Sequence, residues 1–209
     1  MKIVKTKIKH AITLLIAVLS ITMLTGCPPT MPPVDKIAAK EAWEIMKSAQ
    51  ETISEDAVPV YIQGINVKPE SPITEGKTGV WVVGFYSESE NTVWEVQLNN
   101  NKNSEPTLSS AEEYYTDISL TVYDLADWNI DSTEACEIAV QNGAGNTQGM
   151  SLQIARSDNE DAAFIVHGFI PNSTKLFWVI KSDSYRYYID ACTGEYLGKY
   201  TSEQLRNME

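Results

Sequence analysis

The chain has 209 residues, 43% of them hydrophobic, with 16 Lys+Arg against 28 Asp+Glu and a net charge of −12. That length suits one medium domain or two small ones. An acidic surface repels nucleic acid and anionic headgroups, so neither is expected as a partner drawn by charge.

The first ten residues carry Lys2, Lys5, Lys7 and Lys9 and no acid, and Ala11 to Leu24 is almost wholly apolar. A basic start, an apolar run of this length and small residues at its end read as a secretory signal over residues 1–26. The run is short for a bilayer span, which needs roughly 20 residues. Leu24-Thr25-Gly26-Cys27 resembles the lipobox of bacterial lipoproteins. The resemblance implies that the Cys27 sulfur takes a diacylglycerol and that Cys27 becomes the first mature residue. Pro28, Pro29, Pro32 and Pro33 follow, so residues 27–34 read as a lipidated, semi-rigid tether. Removing residues 1–26 takes away four lysines and no acid. The remainder has 12 Lys+Arg against 28 Asp+Glu, a charge of −16, so the lipid must do the anchoring. The expected location is a cell membrane or outer membrane, on its extracytoplasmic side.

Two helices are expected, near residues 35–53 and 132–142. Ala38, Ala42, Ile45, Ala49 and Ile53 recur at helical spacing, with Asp35 as the N-cap. Ala135, Ile138 and Ala139 do the same after Asp131 or Ser132, and Asn142-Gly143 ends the run. Both helices carry the frame E-A-x-E-I, at an offset of 93 residues. The strands suggest a second internal match, at an offset of 84. Gly79–Val96 aligns with Ala163–Ile180, so that Val82 meets Val166 and Trp94 meets Trp178. Val58–Val67 and Ser151–Arg156 are strand candidates before these hairpins, and Ile118–Tyr123 and Tyr185–Ala191 after them. Asn99–Ser110 is polar and reads as a loop. The expected fold is α+β. Two tandem repeats, 35–126 and 127–209, each pack one helix on a four-stranded antiparallel sheet.

Tyr187 to Gly198 reads YYIDACTGEYLG. Helix, strands and a terminal Y-x-I-D-x-x-T-G-E resemble PepSY-type domains over most of Asp131–Tyr200. The resemblance implies a cystatin-like build and a regulatory role toward secreted peptidases.

Site chemistry is sparse. His167 is the one histidine after the signal and aligns with Val83, a plain strand position. No G-x-S-x-G, H-E-x-x-H or C-x-x-C occurs. The acidic runs Asp158-Glu160-Asp161 and Asp124-Asp127-Asp131 lack the glycine of a calcium loop and read as solvated loops. No cofactor or metal ion is expected. Cys136 and Cys192 form an even remainder in an exported chain, which allows either a disulfide or two small buried residues. Aromatic residues fit a helix–sheet core or a binding face. Trp81, Trp128 and Tyr188 are the candidates for such a face. The expected function is a non-catalytic binding or regulatory module at the envelope, with a protein or peptide partner. The alternatives are a structural lipoprotein of envelope assembly and a hydrolase using His167.

Overall fold

The computed structural model describes residues 35–66, 73, 75–99, 105–112, 120–157, 170, 173–201 and 203–204. The signal, Cys27, the tether, His167 and the run Asp158–Asp161 lie outside the described residues. Residues 35–209 form one compact unit.

The helical stretch begins with α1 (Ala39–Met46), tightens through a 3-10 turn at Lys47–Ala49 and closes with α2 (Gln50–Ile53). Ala39, Ala42 and Met46, at spacings of three and four, are its buried face. Trp43 lies beside them and sets its ring 6.1 Å from that of Phe85 in the sheet. The later helix is α3 (Ser132–Gln141), started by a capping box between Asp131 and Glu134. It stops at Asn142-Gly143, where Gly143 takes φ 92° and the Ala144 N–H bonds the Ala139 carbonyl at 2.9 Å.

The strands are β1 (Val58–Ile65), β2 (Val80–Ser87), β3 (Thr92–Asn99), β4 (Thr107–Glu112), β5 (Leu120–Val122), β6 (Thr147–Gln153), β7 (Ala155–Ser157), β8 (Phe177–Ser182), β9 (Tyr185–Asp190) and β10 (Tyr196–Thr201). Eight of them make one antiparallel sheet in the order β10-β9-β8-β6-β1-β2-β3-β4, and β5 pairs with β7 separately.

This corrects the expected pair of helix-on-four-strand repeats, 35–126 and 127–209. The sheet does not divide there. β1 and β6 pair from Tyr61 opposite Gln153 to Ile65 opposite Gly149. An unpaired β1 edge would leave a row of backbone donors and acceptors without partners, and β6 fills it. The core is also single. Ile62, Trp81, Val83 and Phe85 belong to the same buried cluster as Leu152, Trp178, Ile180 and Ile189, roofed by Ala39, Ala42, Ala135 and Ala139.

The strand match at offset 84 fails as well. Trp94 lies on β3, two strands out from β1, whereas Trp178 lies on β8, beside β6. Alternating apolar patterns have a period of two, so any two strands align at some offset without sharing a place in the sheet. Part of the segment read as a loop is β4, an edge strand. The Ile118–Tyr123 candidate supplies β5 to the small sheet. Val166 lies outside the described residues.

The face opposite the helices has its own packing. The Tyr61 ring covers Gly84, where a Cβ would stand 2.4 Å from that ring, and the Tyr61 hydroxyl donates to Glu95. Val60, Val93 and Ala155 form a small cluster there with Leu120 and Val122. Ile170, Phe177 and Tyr188 form another, with Leu197 and Tyr200 beside them.

Candidate functional site

The two helix starts meet. Asp131 is extended and accepts from the Ser132 N–H at 2.7 Å and from the Lys40 N–H at 3.1 Å through one oxygen. Ser132 is buried, and its hydroxyl accepts from the Ala39 N–H at 2.9 Å. The first helix therefore has no local side-chain cap: its N-cap is Ala38, not the expected Asp35. The turn Glu75-Gly76, with φ of 54° and 71°, presses against the same place. A Cβ on Gly76 would lie 2.2 Å from the Ser132 carbonyl oxygen, which only glycine avoids.

Below this junction a groove of about 530 Å³ runs along α3. Cys136 and Val140 come from one helix face, Glu137 from its flank, Thr147 from β6, and Ile73 and Glu75 from the opposite wall. Ile73 is held to β6 by its N–H, which donates to the Thr147 carbonyl at 3.2 Å. Val140 is 56% exposed, a large apolar side chain open to solvent on the groove's rim. The sequence reading passed over Glu75, Glu137 and Val140. Val140 carried a signal, since it is an aliphatic residue off the buried stripe of its helix. The placement of Glu75 depends on a turn far away in sequence.

Cys136 and Cys192 are free thiols, which corrects the expected disulfide. Cys136 is buried in the helix–sheet core, 4.0 Å from the Thr147 hydroxyl. Burial pushes its thiol up to about 11. Cys192 sits in the β9–β10 turn, its N–H bonded to Asp190 and its carbonyl accepting from the Asn129 side chain at 2.9 Å. Burial raises the Cys192 thiol too.

The candidate binding aromatics are core residues. Trp81 is fully buried and donates its indole N–H to the Ile37 carbonyl. Trp128 is buried under Lys40 and, with Trp178, donates to the Ile130 carbonyl. Tyr188 is buried between Phe177 and Tyr200. None of the three lines an open face.

The D-x-x-T-G-E stretch builds a hairpin turn. Asp190 accepts from the Cys192 and Thr193 N–H groups at 2.7 and 2.9 Å, and Gly194 takes φ 80°. A second hydroxyl-rich knot lies at the end of α2. Ser54, Ser87 and the Ser89 N–H all donate to Asp56 and hold its carboxyl well below the usual range.

No protein-family model matches the chain, and no curated protein does. The PepSY resemblance therefore rests on the turn motif and gains nothing from that direction. Among solved structures, the chain is similar to a crystal structure from Clostridium difficile 630, described as a candidate lipoprotein (CD1622). The two are 16% identical, superpose with a TM-score of 0.52, and share 80% of this chain and 94% of that one. At that identity the likeness is one of fold. No described helix is long and apolar enough to cross a membrane.

Proposed function

We propose that this is an exported lipoprotein, held to the envelope by lipid on Cys27, whose folded body is a non-catalytic binding module. The observation that carries the reading is the order basic start, apolar run, Leu24-Thr25-Gly26-Cys27, proline tether. The fold shared with a protein described as a candidate lipoprotein supports it. The groove beside α3 supports the binding role: it is roomy and part apolar, and its buried thiol is poorly suited to nucleophilic attack because the thiolate is the reactive form. Labelled palmitate should enter the full chain in a bacterial host and not its Cys27→Ala variant. Equal labelling of both sinks the anchor.

Regulation of a secreted peptidase is the finer form of the proposal, and its support is the ending Tyr187–Gly198. Secreted peptidases assayed with and without the full chain test it. Unaltered hydrolysis throughout removes the peptidase and leaves the anchor standing.

A further inference from the structure

We propose that the groove along α3 binds an organic cation with an apolar body, an alkylammonium or alkylguanidinium group. The source is either a free small molecule or a lysine or arginine side chain of a polypeptide. The inference rests on the binding-module reading and names the ligand chemistry of its site.

Three observations point the same way. The groove's volume, about 530 Å³, falls among small-ligand pockets, which run roughly 300–1,000 Å³. Its lining is apolar at Ile73 and Val140 and acidic at Glu75 and Glu137, with no lysine or arginine among the described lining residues. An anion would meet only like charge there, whereas a cation finds two carboxylates above an aliphatic floor.

The third observation lies behind the wall at Gly145. A Cβ at that position would stand 2.8 Å from an Asp183 carboxylate oxygen and 3.7 Å from the Ser182 hydroxyl. The bare glycine therefore lets a third carboxylate and a hydroxyl approach the groove. Ser182 is 1% exposed, and its hydroxyl has no hydrogen-bond partner among the described residues. A buried hydroxyl left unpaired is costly, and an N–H seated against Gly145 would supply the missing partner.

Butylguanidinium and its neutral isostere butylurea are the probes, titrated into the isotope-labelled full chain in detergent micelles. Butylguanidinium should shift the amide signals of Glu137, Val140 and Thr147 saturably, and butylurea should not. Glu75→Gln and Glu137→Gln should each weaken binding about tenfold, the loss of one charge-assisted hydrogen bond. Each variant's own spectrum reports whether it is folded. Tighter binding of the tripeptide Gly-Arg-Gly than of butylguanidinium assigns the ligand to a polypeptide. Equal or weaker binding assigns it to a free cation. Absent shifts, equal shifts from butylurea, or unchanged affinity in both folded variants overturn the proposal. Palmitate incorporation at Cys27 is scored separately, so failure of the groove does not count against the anchor.

Discussion

Asp131 serves two helices with one carboxylate oxygen, accepting from Ser132 in its own helix and from Lys40 in the other. A single cap contributes about 1 kcal/mol, so Asp131→Ala should cost ~2 kcal/mol and Glu134→Ala less, measured by denaturant midpoints. Gly84→Ala sets a methyl 2.4 Å from the Tyr61 ring and should cost roughly 1–3 kcal/mol. Adding Tyr61→Ala should recover part of that, the coupling expected of touching residues. Cys136 bears on pH. Its folded value of about 11 stands above its ordinary 9.0, so between those limits the folded state holds the proton that the unfolded chain has lost. Stability should therefore fall as pH rises through that window, by ~3 kcal/mol at its top, and the Cys136→Ala profile should be flat there. Asp131 and Asn142-Gly143 were legible in the sequence because a cap and a stop lie beside the helix they serve. The cap of α1 was not, because its donors of order, Asp131 and Ser132, stand over ninety residues away.

Strands differed in legibility for a related reason. β1, β2 and β3 announce themselves by apolar alternation, since each has one face against the main core. β4 reads TLSSAE and borders β3 on one side only. An edge strand needs few apolar residues, so its composition is that of a loop. Leu108, 56% exposed, is its one large aliphatic side chain. The helix-side residues of α3 were read correctly as Ala135 and Ala139, whereas the groove on its flank was invisible without Ile73 and the Glu75 turn. The order of the sheet also sets local stability. Amide hydrogens of β1 and β6, paired on both sides, should exchange more slowly than those of β4, β10 and the β5–β7 pair. Hydrogen exchange read by mass spectrometry or NMR checks this, and slow exchange at β4 with fast exchange at β6 would contradict the strand order.

At the scale of the molecule, one sheet and one core imply one transition. Tryptophan fluorescence and far-ultraviolet dichroism should lose their native signals at the same denaturant concentration, where two independent repeats would separate. Leu152→Ala, at the seam and fully buried, should lower that shared midpoint at a cost of about 2–5 kcal/mol. Sequence alone could not decide between one body and two, because the deciding contact is the pairing of Tyr61–Ile65 with Gly149–Gln153, and nothing local marks which partner a strand will take. That seam also imposes a timetable. A chain emerging from its N-terminus presents β1 to β4 first, with the β1 edge bare and the start of α1 uncapped until residues 131–153 arrive. For that interval the early half is a sticky, half-finished sheet, open to strand addition by any neighbouring chain. Overproduction should therefore fail by aggregation of nascent chains before it fails by instability of the finished protein.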